Sequence, residues 1–299
     1  MKIVGKGDIR VRKPKWLRRK LPQGPEYERM RNLIRNNSLA TVCQEAQCPN
    51  QFECFSKGTA TFMILGDRCT RNCDFCAVSH KPLTLPDPEE PARVAGAVAS
   101  LKLSYAVITS VTRDDLDDGG GSHFVKTIQE IHNQSPETLI EILIPDLQGN
   151  WEALGDILRA CPDVLNHNLE TVQRLYSRVR PEAEYERSLE LLRKSKDMSP
   201  QTPTKSGVML GLGETIEELQ GTMADLLDNG CDILTLGQYL QPSRSHLPVE
   251  RFVSPMEFES LKEYAEDLGF KGVASSPNVR SSFEAGILYN QVVGLMKKD

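Results

Sequence analysis

The sequence predicts an α/β chain built on a parallel sheet, either open or closed into all or part of a barrel. Three observations carry that expectation. First, from about residue 59 short β-rich runs alternate with stretches of helical period, as βαβ units require. Second, polar or glycine-rich loops follow several of those runs, at 66–69, 112–115, 145–150 and 211–214. Parallel α/β architectures gather their sites at such carboxyl ends of strands. Third, 299 residues with 39% hydrophobic and 26% charged side chains suffice for one large domain or two small ones. No apolar run approaches the ~18 residues that cross a bilayer, so this composition excludes the membrane and disordered classes.

The strands are expected at 61–65, 105–111, 139–144, 164–168, 206–210 and 232–236, with a possible short seventh at 270–274. The clearest helix follows Glu214. Ile216, Leu219, Met223, Leu226 and Leu227 share one face there, and Asn229-Gly230 supplies a stop. Gly119, Gly120 and Gly121 read as a backbone-permissive turn that could also approach a cofactor closely. The first 58 residues fit no such alternation: a helix is expected over 26–36 and no strand is evident.

Charge is unevenly distributed. Residues 1–35 hold twelve Lys or Arg against three acids, a net of +9, which leaves 24 against 38, or −14, in the remainder. Such a run is either a solvated tail or a docking arm for an acidic partner. The N-terminus has no apolar export segment, so a reducing cytosol is expected and the eight cysteines must serve without disulfides.

Six of those cysteines fall within 34 residues, as two triples: Cys43, Cys48 and Cys54, then Cys69, Cys73 and Cys76. Clustered thiols in a chain of this length point to metal. Cys161 and Cys231 stand alone and read as buried small hydrophobes. Thiolates are soft ligands chosen by zinc and by iron-sulfur clusters. With His80 the second triple could make a four-ligand zinc site, whereas a 4Fe-4S cluster on three cysteines leaves one iron open.

The Cys-x3-Cys-x2-Cys spacing, with Phe75 before the last cysteine, resembles the radical S-adenosylmethionine superfamily. With the first triple and the segments 13–18, 110–116, 144–146, 166–171, 205–214, 238–243 and 279–282, the chain resembles the lipoyl synthase family over almost its whole length. That resemblance implies a partial (β/α)6 TIM-type barrel over 59–274. An N-terminal extension (1–58) would carry the first triple, and a C-terminal extension (275–299) a serine ligand.

It further implies that Cys69, Cys73 and Cys76 hold the 4Fe-4S cluster that binds S-adenosylmethionine. Cys43, Cys48 and Cys54 would hold an auxiliary 4Fe-4S cluster, with Ser282 as fourth ligand and Ser281 as the alternative. Phe75, Asn168, Glu170 and Arg180 would contact the cosubstrate. Phe75 could equally be a packing aromatic, and the other three ordinary cap or surface residues. The implied reaction inserts two sulfur atoms at carbons 6 and 8 of a protein-bound octanoyl-lysine, with sulfur drawn from the auxiliary cluster and two S-adenosylmethionine used per lipoyl group.

The implied partners are octanoylated lipoyl carrier domains (2-oxoacid dehydrogenase acyltransferase subunits and the glycine cleavage H protein), a reductant such as flavodoxin or ferredoxin, and an iron-sulfur carrier protein. Neither nucleic acid nor membrane is expected, and the chain is expected to be a cytoplasmic monomer. One departure stands out: Phe283-Glu284 replaces the family's usual Tyr-His. Two competing readings are a radical enzyme of other chemistry, such as methylthiolation, and a non-catalytic electron carrier or zinc protein.

Overall fold

The computed structural model describes residues 13–18, 25–56, 60–80 and 82–296. Most of the basic arm therefore lies outside the described residues. Eight strands form one sheet in chain order: β1 (Ala40–Thr41), β2 (Thr61–Ile64), β3 (Tyr105–Ser110), β4 (Leu139–Leu143), β5 (Val164–Asn166), β6 (Thr204–Leu210), β7 (Ile233–Gln238) and β8 (Gly272–Ser276). Pairing from β2 to β8 is parallel throughout, while β1 runs antiparallel to β2. Every residue of β2, β5 and β7 is buried, the mark of parallel strands covered on both faces. Among the described residues β8 pairs with β7 alone, so the barrel is partial, as expected.

Among the described residues, a 3-10 turn (Lys15–Leu17) and three α-helices precede the barrel's first parallel strand: α1 (Pro25–Asn36), α2 (Val42–Glu45) and α3 (Gln51–Ser56). The crossovers carry α4 (Glu90–Leu101), α5 (Gly121–Gln134), α6 (Trp151–Arg159), α7 (Tyr176–Val179), α8 (Tyr185–Met198), α9 (Ile216–Asp228) and α10 (Pro255–Leu268). The chain then ends in α11 (Ala285–Met296). The expected face of α9 turns inward, with Leu219, Met223 and Leu226 buried, and its start is fixed by a reciprocal capping box between Thr215 and Glu218. Ile64, Ile108, Ile142 and Phe124 are wholly buried in one half of the core, and burial of each such side chain contributes roughly 1.5–3 kcal/mol.

Helix α11 lies against β8 and β3, on the side where the barrel is open. Its Gly286 leaves room for the Tyr105 ring, and Tyr289 meets that ring at 5.8 Å between centroids. On β8 a side chain at Gly272 would strike Val292 and Leu288.

The structure departs from expectation at a few positions. The N-terminal segment does contain a strand, β1, but two residues are too few to show a period of two. The run at 270–274 becomes a five-residue strand shifted to Gly272–Ser276. Strand β5 ends at Asn166, two residues early, because the chain turns into the cavity at 167–170. Cys231 is buried as expected, but Cys161 is exposed. It sits in the left-handed region (φ 62°) on the turn after α6, with its thiol bonded only to the Arg159 carbonyl at the surface.

Candidate functional site

The chain leaves β2 through two left-handed residues, Leu65 (φ 67°) and Gly66 (φ 84°). A non-glycine residue there is strained and must be held by its surroundings. Glu90, buried at the head of α4, does this: its carboxylate accepts from Leu65 N at 2.6 Å and Gly66 N at 3.3 Å, and bonds His123 Nε2 at 2.8 Å. The cysteine loop follows. Cys69 N donates to the Ser79 carbonyl, Thr70 N to the Thr112 carbonyl and Cys76 N to the Cys73 carbonyl. Thr112 N donates to Cys69 Sγ at 3.3 Å, and His246 Nε2 bonds the Cys76 carbonyl at 2.9 Å.

Arg71, between the first two cysteines, points inward at 4% exposure. Its guanidinium grips Asp114 at 2.7 and 3.0 Å and Asp146 at 2.5 Å, so the loops after β3 and β4 both fasten the cysteine loop. Burial alone would raise the Asp146 carboxyl, but the hydrogen bond and charge of Arg71 hold it down at about 2. Sequence reasoning missed this staple. Its signal was an arginine inside the cysteine motif and paired aspartates after the next strand.

The remaining predicted contacts come from the opposite wall. Phe75 packs beside Val172, Leu175, Val179 and Tyr239. Asn168 Nδ2 donates to Glu170 Oε1 at 3.0 Å. Glu170 is left-handed (φ 67°) and is pinned by main-chain bonds to Gly207 and Met209 of β6. Burial raises its carboxyl, opposed by Arg180, Asn168 and Arg280. Arg180 donates to the Asn168 carbonyl at 2.7 Å, and its charge opposes the burial that raises the Cys73 thiol.

Six buried side-chain polar atoms have no hydrogen-bond partner among the described residues: Arg93 Nε, Ser110 Oγ, Asn166 Oδ1, His167 Nε2, Thr171 Oγ1 and Arg180 Nε. Ser110 ends β3, Asn166 ends β5 and His167 follows it. Burial lowers His167 to about 4, so its ring is neutral at pH 7. Its Nδ1 donates to the Ile144 carbonyl, which leaves Nε2 as an acceptor. Native interiors rarely leave such atoms orphaned, but none of these residues lines the cavity described below.

The first triple sits at the other end of β2. Cys43 lies on α2, Cys54 on α3 and Cys48 on the turn between them, where its N–H donates to the Cys43 carbonyl. Burial pushes the Cys43 and Cys73 thiols up to about 12 and Cys76 to about 11. Such thiols ionise when a metal takes the proton's place. Among the described residues no three His, Cys, Asp or Glu converge on a point that would hold one metal ion.

The two serines separate clearly. Ser282 Oγ accepts from Thr61 Oγ1 at 2.8 Å, and Thr61 also hydrogen-bonds Cys43, which brings Ser282 to the first triple. Asn50, between Cys48 and Cys54, donates to the Asn278 carbonyl at 2.6 Å and ties the same two segments. Ser281 instead faces the barrel interior, bonded to Asn166 and Asn168.

Many of these groups border one cavity of about 1020 Å³. Cys43, Cys48, Cys54 and Ser282 line one part, and Phe75, Cys76, Asn168 and Glu170 another. Cys69, Cys73 and Arg180 do not reach its wall, and the Gly119 to Gly121 turn does not border it either. Gly120 abuts Leu65 instead, beside the strained exit from β2. Between the segments that carry the triples runs β2, whose four residues span roughly 13 Å at ~3.3 Å per residue.

Comparison with known proteins decides the family. The model of the radical SAM superfamily matches residues 63–226, and that of the N-terminal domain of lipoyl synthase matches residues 2–48. Lipoyl synthase of Desulfotalea psychrophila is 64% identical over 283 residues, 95% of each chain. The chain belongs to the lipoyl synthase family.

Lipoyl synthase of Alkaliphilus metalliredigens is 56% identical over 92% of this chain and 94% of its own. Among solved structures, methylornithine synthase superposes with a TM-score of 0.56 at 16% identity, covering 77% of this chain and 68% of that one. The hydrogenase maturase HydG gives 0.59 at 13% identity over 77% and 54%. These likenesses bear out the fold. A lipoyl synthase of the radical SAM superfamily uses S-adenosylmethionine and 4Fe-4S clusters, and the soft thiol sets at both ends of β2 fit two such clusters. No helix among the described residues is long and apolar enough to cross a membrane.

Proposed function

We propose that this lipoyl synthase inserts two sulfur atoms at carbons 6 and 8 of an octanoyl group amide-linked to a lysine of a lipoyl carrier protein. One observation carries the reading: the whole first triple and Cys76 of the second open onto the same cavity from opposite ends of β2. Cys69, Cys73 and Cys76 would hold the cluster that leaves an iron for S-adenosylmethionine. Cys43, Cys48, Cys54 and Ser282 would hold the auxiliary cluster. When bound, these groups supply reductive cleavage of the sulfonium, hydrogen abstraction from unactivated carbon, and sulfide.

The protein's own part is placement and shielding. Glu90 and Arg71 fix the cysteine loop, and Thr112 N–H donates to Cys69 Sγ, a kind of bond that tunes cluster potential. Asn168 and Glu170 present polar atoms suited to a nucleoside and Phe75 an apolar face, while Arg180 stands behind that wall as a buried cation, donating to the Asn168 carbonyl. Serine is a harder and less acidic ligand than cysteine, which suits the corner of a cluster meant to open.

The reading is tested by Cys48→Ala, which keeps the second triple intact. 5′-Deoxyadenosine should still form, while lipoyl product should vanish. Product at the wild-type yield would remove the first triple from the role of sulfur donor.

The chain is organised, in this reading, as an extension (1–58), a barrel core (59–274) and a serine-bearing extension (275–299). The finer partners are the acyltransferase subunits of 2-oxoacid dehydrogenases and the glycine cleavage H protein, a flavodoxin or ferredoxin as reductant, and a carrier that rebuilds the consumed cluster. The chain would work in the cytoplasm. The +9 segment complements acidic carriers and speeds encounter. Deleting residues 1–20 should raise KM for an intact carrier protein much more than for a short octanoyl-lysine peptide. Equal losses on both substrates would dismiss the arm as a docking element.

A further inference from the structure

Inside the barrel two fully buried charges face each other where apolar side chains would be expected. Lys205 of β6 and Glu141 of β4 are each 1% exposed, with Lys205 Nζ donating to both carboxylate oxygens at 2.9 and 3.0 Å. Tyr105 OH donates to Glu141 Oε2 at 2.7 Å and Asn166 Nδ2 to Glu141 Oε1 at 2.9 Å. Taking two charges out of water costs several kcal/mol per ion and is repaid only with excellent geometry, so such a pair is weak evidence of stability for its own sake. Its four members come from four neighbouring strands, β3 to β6. They form a rigid floor with one outlet, because Asn166 Nδ2 also donates to Ser281 Oγ at 2.7 Å. Ser281 Oγ in turn donates a hydrogen bond to Asn168 Oδ1 at 3.0 Å.

We infer that Ser281 is a positioning residue for the auxiliary site. Its hydroxyl locks the C-terminal segment onto the Lys205–Glu141–Asn166 floor, so that the next residue, Ser282, is delivered to Cys43, Cys48 and Cys54. The inference rests on the reading of Ser282 as the fourth ligand. Two further features act on the same segment. A side chain at Gly237 of β7 would collide with the Val279 carbonyl, so the segment lies directly on bare strand backbone. Thr61 receives Ser282 on the far side. A ligand that binds a metal weakly and meets Thr61 from 221 residues away in sequence depends on such locks, and the Asn50 bond to the Asn278 carbonyl adds to them.

The test compares Ser281→Ala, Ser281→Thr and Ser282→Ala with the wild type, each reconstituted anaerobically with iron and sulfide. Iron release to a chelator and the electron paramagnetic resonance of the reduced clusters are recorded, with melting of the metal-free chains as a control for folding. Ser281→Ala should melt with the wild type, release the iron of one cluster about tenfold faster, within the range seen when groups supporting a metal ligand are removed, and alter that cluster's resonance alone. Ser281→Thr, which keeps the hydroxyl, should release iron at the wild-type rate. Wild-type behaviour of Ser281→Ala beside an altered Ser282→Ala would overturn the inference, as would equal acceleration in Ser281→Ala and Ser281→Thr. Wild-type behaviour of Ser282→Ala would instead overturn the reading of Ser282 as ligand.

Discussion

Arg71 shows how much of the site hangs on single buried charges. With its side chain removed, Asp146 is left ionised at 0% exposure without its main partner, and breaking such a pair costs about 3–5 kcal/mol. Arg71→Met should therefore lower the urea midpoint of the metal-free chain strongly, while Arg178→Met, at an exposed pair with Glu250, should change it little. The pH dependence follows from the depressed carboxyl. Asp146 goes from an ordinary 3.8 to about 2 in the fold, so it binds fewer protons folded than unfolded. Its contribution, about 2 kcal/mol, is complete above pH 4 and disappears as pH falls toward 2. Urea unfolding across that window should show a shallower acid loss in Asp146→Asn than in the wild type; parallel curves would count against the pairing.

Elements were legible where their pattern was long. The α9 face and its Asn229-Gly230 stop could be read directly because burial on a helix repeats at 3.6 residues, and the β3 and β4 runs because strands buried on both faces are continuous apolar stretches. Strand β1 was not legible, being two residues long and fixed by its pairing with β2. Nor could sequence reveal that Glu141 and Lys205 face each other, since each looks like an isolated charge in an apolar strand until the two strands are aligned in space. At this scale Thr215→Ala should cost the α9 start about 1 kcal/mol, seen as a lower melting temperature with unchanged turnover. Gly237→Ala should do the reverse. It should spare the metal-free fold more than it spares the auxiliary cluster, because the displaced group is the Val279 backbone that leads to Ser282. Iron content per chain, measured after reconstitution, checks that expectation.

For the whole molecule, the cysteine spacings named six ligands but said nothing of their relation. The chain length between Thr61 and Ser282 hid their contact at 2.8 Å, and only the partial barrel, wrapped from β2 round to β8, brings the two ends of the chain together. The same wrapping turns two separate metal motifs into the two ends of one cavity. Cys161, expected inside and found outside, marks the limit of reading burial from residue type. In the proposed mechanism one end of that cavity makes the radical and the other gives up sulfur. Its sharpest test rebuilds both clusters with heavy-isotope sulfide, then supplies S-adenosylmethionine, a reductant and an octanoylated peptide in the absence of air. The expected product is a lipoyl peptide whose mass carries two heavy sulfur atoms; an unchanged peptide despite cosubstrate cleavage, or a product with unlabelled sulfur, would contradict the mechanism.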